Sequence, residues 1–569
     1  HMSIIGLKKA NCKNCYRCVK VCPVKSIRVA DGQATIIERS CILCGTCLER
    51  CPQNAKTLIS HLDTVRSMLN AGDQVILSIA PSYYGCFHVT DARKFAGAVK
   101  ALGFFGVSET SEGAAYVSAE YHKLMQENKM KNIVTTCCPS FNSLVEMYHP
   151  SIVDQLAPVV SPMIAHARLL KQRFPGARVV FCGPCIAKIA EAEDVRHNNE
   201  VDAVLTFEDL IAMFRTSGVS IETAEPASFL NGSSKILRMY PISEGILASL
   251  RQLGDAGSWK FLSVSGKAEC KDLCLALEEG RLEHCVIEVN MCRDGCVNGP
   301  ASGESEHERF ASTVRVHSYA HEDCEEYPVL RDSVPMHKQF LDRSPKEEIP
   351  DEETIRAILA KIGKTGPEDE LNCGSCGYPT CREKAIAVFQ GKAELEMCVP
   401  YMKERAESFA NCLLAETPNI TIMVDEDLNI VEFNRAAEAA FHITRADAVQ
   451  KCIYELMDPG DFEFVFTSHQ SISDKKVSLK EYGIAAEENI VYVEKNNIAI
   501  GIFRDITKEE KELKNKYKLR AETMEMAQKV IDKQMVAAQQ IASLLGETTA
   551  ETKVTLTKLK NMVVFDEET

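Results

Sequence analysis

Sixteen of the 25 cysteines fall into four sets of four. Thiolate is a soft, anionic donor, and four of them at such spacings suit an iron–sulfur cube. Cys12, Cys15, Cys18 and Cys22-Pro23 read C-x-x-C-x-x-C-x-x-x-C-P, and Cys41, Cys44, Cys47 and Cys51-Pro52 repeat that pattern. A third set is Cys373, Cys376, Cys381 and Cys398. The fourth is scattered over three short segments. They are Thr135-Thr136-Cys137-Cys138-Pro139, Pro184-Cys185-Ile186-Ala187-Lys188 and Met291-Cys292-Arg293-Asp294-Gly295-Cys296. This last set leaves a spare thiol, Cys137, beside ligand cysteines, and a lysine three residues after Cys185. Redox chemistry at iron with a proton carrier close by is what these residue types can do.

The doubled run over residues 3–60 has the pattern of two-cluster ferredoxins, in which the fourth cysteine of each run crosses to the other cube. On that pattern Cys12, Cys15, Cys18 and Cys51 hold one 4Fe–4S cluster, and Cys41, Cys44, Cys47 and Cys22 hold the other. Structural zinc is the competing use of clustered cysteines, and the double spacing weighs against it. In residues 350–410 the C-x-x-C-x-x-x-x-C start and the distant Cys398 resemble the small 4Fe–4S domains of anaerobic redox proteins, again with zinc as the alternative. Cys86, Cys182, Cys270, Cys274, Cys285 and Cys324 lack a partner pattern and read as packing residues.

The elements that must position these groups are legible in outline. At roughly 150 residues per domain, 569 residues suggest about four domains. In residues 61–345 buried β-type runs at 74–79, 132–134, 177–181 and 285–289 alternate with amphipathic helical patterns at 90–102, 113–128, 162–173, 206–215 and 243–253. This alternation predicts α/β architecture with mostly parallel strands, and the cysteine motifs follow strands, where ligands collect in such sheets. The whole chain reads as multidomain α/β and α+β. A hydrophobic fraction of 45% is ordinary for a globular protein. No run of 18 apolar residues and no export signal stand out, so no membrane association is expected. His1-Met2 reads as an addition ahead of the native start. A net charge of −15 without a basic stripe argues against nucleic-acid binding. The cysteine spacings favour metal ligation over disulfides and a reducing cytoplasm.

The three scattered motifs resemble those of the iron-only (FeFe) hydrogenases, T-S-C-C-P, P-C-x-x-K-x-x-E and C-x-x-G-C-x-x-G, and the resemblance spans about the first 300 residues. It implies an H-cluster, a 4Fe–4S cube bridged by a thiolate to a 2Fe unit with carbonyl, cyanide and dithiolate ligands. Cys138, Cys185, Cys292 and Cys296 would hold the cube, with Cys296 bridging. Cys137 would pass protons to and from the dithiolate amine, and Lys188 would donate to a cyanide. Ala80-Pro81-Ser82 matches the family's loop around the other cyanide, with Ser82 as donor. Fast members relay protons through a glutamate, a serine and a second glutamate. Glu120 is retained at one of these positions, but Val117 and Ala157 occupy the other two, so the relay reads as cut, with Glu109 and Glu112 as candidate replacements. Gly183 and Asn290 stand where the family usually has methionines, implying a more polar or more open pocket.

Residues 413–507 change character. Strands are expected at 420–425, 430–434, 489–493 and 498–507, with a helix-rich stretch between the second and third. This segment resembles a PAS sensor domain through Phe433-Asn434 and Phe503-Arg504-Asp505-Ile506-Thr507, and reads as a docking or relay module rather than a cofactor pocket. Residues 508–546 repeat Tyr517, Met524, Ile531, Ala538 and Leu545 every seven, predicting a signalling helix that pairs in a homodimer. It ends at Leu544-Leu545-Gly546. Residues 547–569, with Thr548, Thr549, Thr552, Thr555 and Thr557, read as a polar tail. The resemblance to the sensory, PAS-containing branch of the family implies slow, reversible cleavage of dihydrogen to protons and electrons. It also implies three accessory 4Fe–4S clusters, ferredoxin or another redox partner, and a separate kinase or phosphatase. The alternatives are a ferredoxin-coupled metabolic hydrogenase and a non-catalytic iron–sulfur scaffold or assembly protein.

Overall fold

The computed structural model describes residues 4–232, 236–255, 257–303, 308–321, 327–449, 451–545 and 553–558. Two compact units divide the chain, residues 1–402 and residues 403–569.

The first unit opens with a small body of two short helices and two two-stranded antiparallel sheets. Strand Ile5–Leu7 pairs antiparallel with Lys56–Leu58, and Ile27–Ala30 pairs with Gln33–Ile36. The short helices Arg17–Val21 and Thr46–Glu49 each start just after a cysteine turn and carry Cys18 and Cys47. Beyond it lie two parallel sheets rather than one. The first has the order Gly106–Glu109, Val75–Ile79, Arg178–Gly183, Ala203–Thr206, and the second has the order Lys260–Ser265, Cys285–Asn290, Ile133–Val134. Val75–Ile79 and Cys285–Asn290 are buried at every position. That explains why their apolar residues do not alternate with exposed ones, since a parallel strand is covered on both faces; Ser78, Glu288 and Asn290 are buried with them. The α/β expectation therefore holds.

All four functional segments leave the carboxyl ends of these strands. Ala80-Pro81-Ser82 follows Val75–Ile79, and Cys137-Cys138 follows Ile133–Val134. Pro184-Cys185 follows Arg178–Gly183, and Cys292 follows Cys285–Asn290. Cys138 is the N-cap of helix Pro139–Tyr148, whose Pro139 at its first position needs no backbone donor. His166, on helix Pro162–Arg173, ties that helix to two strands through Ser78 Oγ (2.7 Å) and Ser108 Oγ (2.9 Å). Burial pushes its pKa down to about 3, so it stays neutral and structural. Cys86, Cys182, Cys270, Cys274 and Cys285 are buried; Cys324 lies outside the described residues.

Closing this unit, helix Glu352–Ala360 packs near Cys381–Phe389, and Cys398 directly precedes helix Val399–Glu416.

The second unit holds a five-stranded antiparallel sheet in the order Ile430–Phe433, Ile420–Val424, Ile498–Asp505, Ile484–Val493, Ile472–Leu479. Helices Arg435–Phe441 and Gly460–Ser468 contribute Ala437, Phe441, Phe462 and Val465 to the same core as Ile422, Phe433, Ile490 and Phe503. Ile472–Leu479 corrects the expectation of helix there. It is an edge strand with Asp474, Lys475 and Lys476 exposed, so no hydrophobic alternation announces it. Asn434 is the N-cap of Arg435–Phe441 and holds several backbones at once. Its Oδ1 accepts from Thr421 N and Ala437 N (both 2.9 Å), and its Nδ2 donates to Leu414 O (3.1 Å) and Asn419 O (2.9 Å).

Helix Thr507–Leu545 runs 39 residues, with Tyr517 and Met524 exposed. Gly546, Thr548, Thr549 and Thr552 lie outside the described residues, whereas residues 553–558, within the expected tail, are helical.

Candidate active site

The strand ends enclose a cavity of about 100 Å³. Ala80, Pro81, Ser82, Cys137, Cys138, Cys185, Lys188, Cys292 and Cys296 all line it, so residues more than 200 positions apart in sequence converge as their motifs require. Glu120 is not among the lining residues. Its carboxylate stands 3.6 Å from Lys123 on a half-exposed helix face.

Burial governs the chemistry of the thiols. It pushes Cys137 up to about 12, against the lowering effects of Tyr121 and Lys188, and Cys185 to about 11. Cys138, Cys292 and Cys296 are raised as well. A thiolate at these places therefore needs a positive partner, as iron provides. Among the described residues no three His, Cys, Asp or Glu side chains close on a single-ion position; a cube's thiolates bind separate irons and need not meet at a point.

Two polar groups fit the implied diatomic-ligated centre. Ser82 is fully buried and its hydroxyl has no hydrogen-bond partner among the described residues. A buried donor so placed costs about 1–3 kcal/mol unless an acceptor arrives. Lys188 Nζ donates to Glu191 Oε2 (2.6 Å) and to Cys137 O (3.3 Å). Burial opposes its charge, yet Glu191 holds its pKa above the ordinary lysine value, so it presents a cation at this wall. These residues fit an H-cluster.

The expected openness at Gly183 is not found. A side chain there would strike the Phe181 ring at 2.9 Å and Ala80 Cβ at 3.2 Å, so Phe181 fills that space. Asn290 does make its wall more polar. It donates to Glu288 Oε1 (3.2 Å), and its Oδ1 lies 3.6 Å from Cys296 Sγ. Burial raises Glu288 to about 7 although three backbone amides at the start of helix Gly245–Leu253 donate to it.

Val117 and Ala157 are fully buried in the apolar core. Neither candidate replacement lines the cavity. Glu109 is held by Arg238 Nε (3.0 Å) and Tyr319 Oη (3.0 Å), and Glu112 by Arg173 Nη1 (2.8 Å). Sequence reasoning missed Tyr121. Its hydroxyl lies 3.4 Å from Cys137 Sγ and accepts from Thr136 N at 2.8 Å. It belongs to no motif, and only the fold brings helix Ser111–Glu127 against the cysteine loop.

The ferredoxin-like body reaches this site directly. Leu43 and Cys44 line the cavity. Gly45, at φ +76°, lies so close to Pro300 that a Cβ would come within 2.3 Å of it. Cys22 is raised by burial and then by Cys44, a cysteine of the other run. Cys373, Cys376, Cys381 and Cys398 share a second cavity of about 20 Å³.

These features define a multicluster iron–sulfur protein with a buried redox site at the strand ends of an α/β domain. Residues 73–300 match the family "Iron only hydrogenase large subunit, C-terminal domain", residues 4–52 a 4Fe-4S dicluster domain, residues 369–400 an Fe-S cluster family and residues 411–481 the PAS fold. The chain thus carries an iron-only hydrogenase large-subunit domain joined to ferredoxin-like and PAS domains. It is 23% identical over 366 residues to iron hydrogenase 1 of Clostridium pasteurianum, covering 47% of this chain and 64% of that protein. It is 23% identical over 367 residues to the NADP-reducing hydrogenase subunit HndD of Solidesulfovibrio fructosivorans, covering 51% of this chain and 62% of that one. It therefore spans less than two-thirds of either relative. A single-residue variant of the FeFe-hydrogenase HydA1 from Chlamydomonas reinhardtii aligns at a TM-score of 0.41 and 15% identity, covering 50% of this chain and 100% of that one. Among the described residues no helix is long and apolar enough to cross a membrane.

Proposed function

We propose that this chain is an FeFe hydrogenase that converts dihydrogen reversibly to two protons and two electrons, turns over slowly, and serves as a dihydrogen or redox sensor. The observation that carries the reading is the convergence of Cys137, Cys138, Cys185, Cys292, Cys296, Ser82 and Lys188 on one buried cavity. Cys138, Cys185, Cys292 and Cys296 would hold the cube of the H-cluster. When bound, that group supplies heterolytic cleavage of dihydrogen. Ser82 and Lys188 donate hydrogen bonds to its anionic ligands. Cys137 Sγ carries the proton to and from the site, with the Tyr121 hydroxyl orienting it. Val117 and Ala157 interrupt onward transfer, which slows turnover without preventing dihydrogen binding.

The other twelve motif cysteines hold three accessory 4Fe–4S clusters: Cys12, Cys15, Cys18 and Cys51; Cys41, Cys44, Cys47 and Cys22; Cys373, Cys376, Cys381 and Cys398. Electrons exchange with ferredoxin or a comparable carrier. The PAS domain and helix Thr507–Leu545 carry the output, with homodimerisation along that helix and a separate kinase or phosphatase as receiver. Infrared spectroscopy of matured protein under dihydrogen tests this. Cyanide and carbonyl bands that respond to dihydrogen are expected, and Cys137→Ala should keep the bands while suppressing turnover. Absent bands, or full turnover in the variant, would overturn the reading.

A further inference from the structure

The cavity enclosed by Cys373, Cys376, Cys381 and Cys398 is also lined by Tyr378, Lys364 and Lys384. Tyr378 is 3% exposed and its hydroxyl has no hydrogen-bond partner among the described residues. Lys384 is 2% exposed, and its ammonium donates to Leu395 O at 3.0 Å. Lys364, 8% exposed, donates to Asp369 O. Neither lysine has an ion-pair partner among the described residues. An isolated buried ammonium is costly, and a buried hydroxyl without an acceptor adds to that cost. A cube with four thiolates is net anionic and presents sulfur acceptors, so it resolves both deficits at once.

This cavity abuts the ferredoxin-like body. Lys25 Nζ donates to Val19 O (3.0 Å) and Lys20 O (3.1 Å) on one side and to Gly377 O (2.8 Å) on the other. Gly377 sits at φ +94°, and a Cβ there would stand 3.0 Å from Lys20 N. Val29 N to Lys392 O (2.8 Å), Arg28 Nε to Gly391 O (2.9 Å) and Asp31 N to Glu394 Oε1 (2.8 Å) complete the seam. The turn bearing Cys376 is therefore pressed against the helix that ends at Cys22.

We infer that the 373–398 site is the electron sink among the accessory clusters, and that the Tyr378 hydroxyl and the Lys384 ammonium set its potential. The inference rests on the reading that these four cysteines hold a 4Fe–4S cube. Positive charge and hydrogen bonds to cluster sulfur stabilise the added electron and raise the reduction potential. In the step implied, one electron leaves a reduced cube of the ferredoxin-like body and arrives on the 373–398 cube, and no bond forms or breaks. Lys25 acts through Gly377 as a positioning residue that keeps the two bodies in register.

Redox titration of the reconstituted full chain, followed by electron paramagnetic resonance, tests this. The double variant Cys373→Ala/Cys376→Ala identifies which signal belongs to the site. Its iron content should fall by about four atoms relative to wild type; an unchanged content would refute the cluster reading itself, whatever the potentials do. With that reading intact, the assigned signal should appear at the highest potential of the three accessory clusters. Tyr378→Phe, which keeps the ring, should shift its reduction equilibrium about tenfold towards the oxidised form, or ~59 mV for one electron. Lys384→Met should shift it the same way, and the other two midpoints should hold. An unmoved midpoint in Tyr378→Phe with full iron content, or a site that reduces after the ferredoxin-like cubes, would overturn the inference.

Discussion

Glu488→Gln tests whether the second unit stores an electrostatic strain. Glu488 faces the core from strand Ile484–Val493, is 1% exposed, and has an Oε2 without a partner among the described residues. Asp461 stands beside it and is held by Lys475 Nζ at 2.6 Å, at the edge of a cleft of about 580 Å³. Burial, then Asp461, pushes Glu488 from its ordinary 4.5 up to about 8, with Lys475 opposing. Because the folded-state value is the higher one, the folded protein keeps a proton that the unfolded chain has released between about pH 4.5 and 8. Stability therefore falls as pH rises through that window. At ~1.36 kcal/mol per unit the full shift corresponds to ~5 kcal/mol, and solvent in the adjoining cleft reduces the working figure to about 2 kcal/mol. Gln keeps the shape and cannot ionise, so the variant should lose that share of the pH slope and exceed wild type in stability at pH 8. Pulse proteolysis of the full chain at graded urea, reading peptides from residues 472–505 at pH 5, 6.5 and 8, measures both slopes. The difference between the two proteins isolates Glu488 from every other group in the chain. Equal slopes, or a wild type that grows more stable towards pH 8, would refute the reasoning.

Tyr121→Phe removes the hydroxyl beside Cys137 and leaves Thr136 N–H without its acceptor, at a cost of about 1–3 kcal/mol. Turnover of the matured protein should fall severalfold while its infrared bands stay in place; unchanged turnover would exclude the hydroxyl from orienting the thiol. Gly45→Ala adds a methyl 2.3 Å from Pro300 Cβ at a positive φ, so the 43–45 loop must lift from the cavity wall. Reduction of the H-cluster by an external carrier should slow with no loss of iron, and undiminished reduction would show that the loop is not the point of entry.

The strands were legible because a fully buried parallel strand announces itself as a mostly apolar run without alternation, and the motifs were legible because their residues stand at fixed spacing along the chain. Val75–Ile79 and Cys285–Asn290 are examples of the first, Cys292 and Cys296 of the second. Features set by packing between distant segments were not legible. Phe181 occupying the space at Gly183, Tyr121 meeting Cys137, and Arg238 holding Glu109 all depend on contacts that no local pattern encodes. The edge strand Ile472–Leu479 escaped for a different reason. Its charges protect an open edge, and that protection erases the alternation by which strands are found.

Asn434 gives the second unit a single clasp. One amide side chain fastens the end of an incoming helix, a central strand and the start of the next helix by four bonds. A twist of the backbone at Leu414 pulls on the same amide group that accepts from Thr421 and Ala437, so while the Leu414 bond holds, the strand and the next helix feel it too.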